Sequence, residues 1–206
     1  MYIQYLQSFV AGLLISLSGS LPLGNLNIAA MQIAIKGTLK KALWFAGGVV
    51  LVEMIYLSFT LSVLDRFAIS DSILFLFRAA SVILLLVMAA GNFMAIKHKK
   101  HKNIVLNNKA GGVVLGIAMS AVNPMQVPFW AGWAVYLLSQ SLLVNSTAVF
   151  TIFVFSAGIG TFTALLLFIF TGRKFSAFML RNQRKANLLI GGVFVGMAVI
   201  QFIKLW

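Results

Sequence analysis

No cysteine occurs in this chain, which excludes disulfides, thiol redox chemistry and thiolate metal sites and leaves the compartment open. Acidic residues are nearly as scarce, three against sixteen lysines and arginines. With 9% of its residues charged and 61% hydrophobic, the chain has too little polar surface to face water as a soluble domain. The roughly ten-residue alternating segments of a transmembrane β-barrel are also missing, and uninterrupted apolar runs stand in their place. These absences leave one class, an all-α integral membrane protein. Helices satisfy their backbone groups within each segment, and lipid asks only for an apolar exterior.

Six apolar runs are present, at residues 5–21, 42–64, 72–96, 111–143, 147–171 and 187–203. A span takes about 20 residues, so six transmembrane helices and short loops use the whole of the 206-residue chain. The expectation is a single transmembrane domain, 1–206. No cation precedes the first run, the earliest being Lys36, so a cleavable signal peptide is not expected.

Thirteen of the sixteen cations fall in alternate loops. Lys36, Lys40 and Lys41 follow the first run, Lys97, Lys99, Lys100, Lys102 and Lys109 the third, and Arg173, Lys174, Arg181, Arg184 and Lys185 the fifth. The positive-inside rule then places these loops in the cytoplasm and both termini outside. The net charge of +13 reads as a topology signal and a contact for anionic lipids. Without an aromatic-interleaved basic module, no nucleic-acid partner is expected.

Two runs are interrupted. The first ends in Ser18-Gly-Ser-Leu-Pro22-Leu-Gly24-Asn25-Leu-Asn27, and the fourth contains Ser120-Ala-Val-Asn123-Pro124-Met-Gln126. Proline removes a backbone donor and clashes with the preceding turn, and glycine lowers the cost of leaving the helix, so backbone groups are freed at membrane depth. Such breaks survive where they are buried in protein or line a wet cavity. Pro22, Gly24, Asn25, Asn27, Asn123, Pro124 and Gln126 are therefore the candidate substrate-binding residues. A plain proline kink accounts for one motif alone; two at matching places point to a shared site. Each half then consists of one broken span and two unbroken ones, 1–96 and 111–206, joined by a basic loop at 97–110. Three spans is an odd number, so the halves are expected as two inverted three-helix repeats with broken first and fourth helices.

Glu53 and Arg78 are the ionisable residues well inside runs. Each costs a few kcal/mol if it faces lipid unpaired, so both are expected to face the interior. By helical rise they lie about 16 Å and about 9 Å from the outer ends of their runs, close enough in depth to pair. Glu53 is the candidate for binding a substrate ammonium or carrying a coupling proton, and Arg78 for contacting a carboxylate or gating the outer vestibule. The bland readings are a structural Glu–Arg bridge, or an arginine that snorkels outward. Gly112 with Gly116 and Gly192 with Gly196 allow close helix approach, used for packing within the chain or in a homodimer. The His98-Lys-Lys-His101 stretch has no nearby carboxylate and is not expected to hold a metal.

The N-terminal proline–glycine break, Ala34-Ile-Lys36-Gly37, the Gly47-Gly48 span, Asn123-Pro124 and the closing Asn187-x3-Gly191-Gly192-x3-Gly196 pattern together resemble the lysine exporter (LysE/RhtB) family. The resemblance covers nearly the whole chain. It implies a bacterial inner-membrane exporter of amino acids or related small metabolites, driven by the proton motive force, with Pro22 and Gly24 in the first signature break and Asn123 and Pro124 in the second. The family usually shows Pro-Gly-Pro at the first break, where this chain has Pro22-Leu-Gly24-Asn25.

The functional expectation is a secondary transporter working by alternating access, with a small-molecule substrate and protons as partners, no cofactor and no enzymatic activity. A metal or other inorganic-ion exporter would need intramembrane carboxylate or histidine clusters, and a membrane enzyme a serine–histidine or metal-ligand constellation; the runs contain neither. A non-transporting scaffold would have no use for paired breaks.

Overall fold

The structure, a computed structural model, describes residues 2–21, 24–67, 71–95, 110–123 and 126–203. Seven helices follow one another: α1 (Tyr2–Ser20), α2 (Asn25–Lys36), α3 (Leu39–Phe67), α4 (Asp71–Ala95), α5 (Gly112–Ala121), α6 (Gln126–Ser139) and α7 (Thr147–Ile203). No strand occurs among the described residues. The basic stretch 97–109, with His98 and His101, lies outside them, as do Pro22 and Pro124.

Both interrupted runs are bent. α1 and α2 meet at 75°, and α5 and α6 at 67°. Pro128 sits in the first turn of α6, where its missing N–H has no helical partner to lose. Two helical stretches, Leu39–Arg66 and Thr147–Thr171, are long and apolar enough to cross a membrane alone, and up to four spans result if each bent pair is one. Leu85–Met94 and Asn187–Ile203 are shorter apolar helices.

α7 is helical over 57 residues, yet it is not straight. At about 1.5 Å of rise per residue, a straight helix would hold Phe153 and Phe194 about 60 Å apart. Instead Phe153 meets Trp130 at 5.9 Å between ring centroids, and Phe194 meets Phe129 at 6.3 Å. Two neighbouring residues of α6 thus touch both parts of α7. The helix folds back, with residues 147–171 as a first leg and 187–203 as a second, and Arg181, Arg184 and Lys185 are exposed between them.

The polarity pattern is the reverse of a soluble protein. Phe59, Ile83, Phe155, Phe170 and Leu189 are exposed, whereas Ser8, Ser16, Glu53, Ser120, Gln126, Ser156 and Thr161 are buried. Lipid accepts the apolar exterior, and the polar groups are left to pair inside.

The helices that precede the two breaks are in close contact with helices distant in the chain. α1 crosses the first leg of α7, and a methyl group added at Gly160 would lie 2.6 Å from the Leu13 carbonyl oxygen. α5 crosses α3, where a methyl on Gly116 would lie 3.1 Å from the Val49 nitrogen and one on Gly112 would lie 3.0 Å from Trp44 Cβ. The helix that precedes each break, α1 or α5, therefore packs on a long helix distant in the chain, α7 or α3.

Gly112 and Gly116 do the close packing their spacing predicts. Gly192 and Gly196 do not, since a methyl at either would meet nothing within 4 Å. The second leg of α7 packs on α4 through Phe194, Met197 and Ala198, and the two glycines lie on the other side. Gly192→Ala and Gly196→Ala are accordingly expected to shift unfolding by no more than about 0.5 kcal/mol in thermal melts of detergent-solubilised protein; a larger loss would show that this face is packed against something.

Candidate functional site

A cavity of about 660 Å³ lies where the two breaks face each other. All seven helices contribute to it. Gly19 and Ser20 come from α1, Gly24, Asn25 and Asn27 from the first break and α2, Glu53 from α3, and Asn92 from α4. Met119 comes from α5, Asn123 and Gln126 from the second break and α6, Thr161 from the first leg of α7 and Phe194 from the second. Five residues proposed from the two sequence breaks, and Glu53 from a different helix, thus line one space. Its size falls within the range of small-molecule sites.

Each break is held by a side chain that reaches back across it. Asn27, one turn into α2, donates through Nδ2 to the Ser20 carbonyl at the end of α1, 2.7 Å away. Gln126, at the start of α6, donates through Nε2 to Ser120 Oγ near the end of α5 at 2.8 Å, and Ser120 in turn donates to the Val49 carbonyl on α3 at 3.3 Å. Tyr56 adds a bond from its hydroxyl to the Ala121 carbonyl at 2.9 Å. Carbonyls at a broken helix end have no intrahelical donor, and lipid supplies none, so these side chains do the work. Asn27→Leu is expected to destabilise the fold by about 1–3 kcal/mol, because the Ser20 acceptor is left unmet. An unchanged melting midpoint in detergent would contradict this role.

Glu53 is 6% exposed and sits in a set of hydroxyls. Ser16 Oγ is 3.5 Å from its Oε1, and Thr161 and the Trp130 side chain also hydrogen-bond to it. Ser16 and Thr161 share a hydrogen bond at 2.5 Å, and Ser20 and Thr161 another at 3.1 Å. A continuous series of hydroxyls therefore runs from the first break, through the first leg of α7, to the carboxylate on α3. Such a series can orient a carboxylate, and it can pass a proton. The cavity lining includes no cation among the described residues. The Arg78 side chain lies outside the described residues, so its pairing with Glu53 is not part of this geometry.

Gly24 and Asn25 begin α2, with no side chain capping its N-terminus, and Gln126 begins α6. Both helix starts line the cavity. Their positive dipole ends favour a carboxylate, and Glu53 favours an ammonium.

Sequence reasoning did not single out Ser16, Ser20, Thr161, Trp130, Asn92, Phe129 or Phe194. The hydroxyls carried a usable signal, since a lone polar residue in an apolar span has to find a partner inside the protein. For Trp130, Phe129 and Phe194 the sequence holds no comparable mark, because aromatic residues occur throughout these spans.

Residues 17–204 match the family of LysE type translocators, a stretch that takes in both breaks and Glu53. No curated protein and no solved structure matches the chain.

Proposed function

This chain belongs to the LysE type translocator family, a family of membrane transporters, and we propose that it exports amino acids or related small metabolites by alternating access around the cavity between the breaks. The observation that carries this reading is the convergence of both breaks and Glu53 on one cavity. The substrate ammonium binds at Glu53, and its carboxylate at the starts of α2 and α6. Asn25 and Asn123 complete the contacts.

The chain crosses the membrane six times as two inverted repeats, with both termini outside and the basic loops in the cytoplasm of a bacterial inner membrane. The reciprocal crossings of α1 with α7 and of α5 with α3, together with the matching clamps at Asn27 and Gln126, support the repeat. The folding back of α7 supports the count of six. Coupling is to protons: one charge crossing a potential of 100 mV supplies about 2.3 kcal/mol, and Glu53 with its hydroxyl series is the carrier. Arg78 gates the outer vestibule or contacts the substrate carboxylate.

Uptake of labelled amino acids into inverted membrane vesicles, with and without an imposed pH gradient, tests the reading. Accumulation that depends on the gradient is expected. No accumulation across a broad panel of amino acids would overturn transport, and accumulation indifferent to the gradient would overturn proton coupling.

A further inference from the structure

The proposed export leaves open which side chain the cavity accepts, and its lining answers in chemical terms. Met88 from α4, Phe129 from α6, and Ile190 and Phe194 from the second leg of α7 pack against one another as one apolar cluster, and all four line the cavity. They form a continuous apolar wall. Phe129 is in edge-to-face contact with both Trp130, at 5.0 Å and 83°, and Phe194, at 6.3 Å and 86°. Edge-to-face packing of this kind holds the rings against one another and adds to the apolar character of this side.

Charge narrows the choice further. Among the described lining residues Glu53 is the one ionisable group. If it holds the α-ammonium, a second ammonium on the side chain would be buried without a carboxylate, and a side-chain carboxylate would be buried without a cation. Either is costly. On the polar side, Gln126 is 9% exposed and its Oε1 has no hydrogen-bond partner among the described residues, which provides an acceptor for an ammonium beside the apolar wall.

Resting on the transporter reading, we infer that the substrate is an amino acid with a bulky uncharged side chain, aromatic, thioether or branched aliphatic, and that Met88, Phe129, Ile190 and Phe194 form its side-chain subsite. Basic and acidic amino acids are excluded from this subsite.

Exchange in proteoliposomes of the full chain tests this. Vesicles are loaded in turn with phenylalanine, methionine, lysine or glutamate, and entry of the same labelled amino acid is followed. Phenylalanine and methionine are expected to exchange at least about tenfold faster than lysine or glutamate. Lysine or glutamate at an equal or higher rate, or exchange of none of the four, overturns the side-chain assignment and leaves the transporter reading standing, which the broad-panel uptake test decides. Met88→Glu, which adds a carboxylate to the wall, is expected to raise the lysine-to-phenylalanine ratio about tenfold. Where that variant does not fold, Phe194→Leu is expected to lower the preference for phenylalanine over leucine about threefold. An unchanged ratio in the folded variant overturns the assignment of the wall.

Discussion

Glu53→Gln is expected to abolish transport while leaving expression, membrane insertion and thermal stability near those of the unaltered protein. The amide keeps the shape of the carboxyl group and can still accept from Ser16 and Thr161. It cannot carry a negative charge. If Glu53 pairs with the substrate ammonium, the variant leaves that ammonium buried and without a counter-charge, at a cost of about 3–5 kcal/mol, or about 10²–10⁴-fold in binding. If it carries the coupling proton, gradient-driven accumulation is lost as well. The two roles separate experimentally, since exchange without a gradient needs binding alone. An amide variant that transports normally would remove Glu53 from the mechanism. The membrane context sharpens the expectation: a purely packing role at this depth would be served at lower cost by an apolar residue.

Gly12→Val is expected to be strongly damaging although it lies outside the cavity. Any Cβ at this position would collide with Ser156 Oγ and stand 2.6 Å from the Phe153 carbonyl oxygen and 3.2 Å from the Ala157 nitrogen. Two of these neighbours are backbone atoms, which do not turn aside as a flexible side-chain end would. α1 must then move away from the first leg of α7, and the Ser16–Thr161 bond that supports Glu53 sits one turn further along the same contact. Overpacking of this kind costs about 1–3 kcal/mol, occasionally more. Loss should appear in both thermal melts in detergent and transport assays, in contrast to Gly192→Ala. A Gly12→Val variant as stable as the parent would mean that the two helices are not in close contact there.

How much of this was legible beforehand differs from residue to residue. Gly24, Asn25, Asn27, Asn123 and Gln126 stood out because a polar or helix-breaking residue inside an apolar run must be used by something, and Glu53 stood out for the same reason at higher cost. All six line one cavity. Their separate tasks were not visible. Asn27 and Gln126 spend a donor on holding the breaks closed, which depends on how far each side chain can reach across a bend of known angle. The glycine pairs show the same limit. Gly112-x3-Gly116 and Gly192-x3-Gly196 are equivalent as sequence, yet only the first meets another backbone. Spacing specifies a smooth helix face without specifying what lies against it.

The breadth of the apolar runs determined that the chain is helical and membrane-embedded, since those properties follow from composition and local backbone chemistry alone. Residue order also marked both breaks and the intramembrane acid. What the tertiary structure decided is the meeting of parts far apart in the chain. The reversal of α7 brings Thr161 and Phe194 to the same cavity, the hydroxyls of Ser16, Ser20 and Thr161 converge towards Glu53, and Met88, Phe129, Ile190 and Phe194 close one wall. Those contacts arise from helix packing, where a shift of one residue in register turns a side chain by about 100° around its axis, and no local pattern in the sequence fixes that choice.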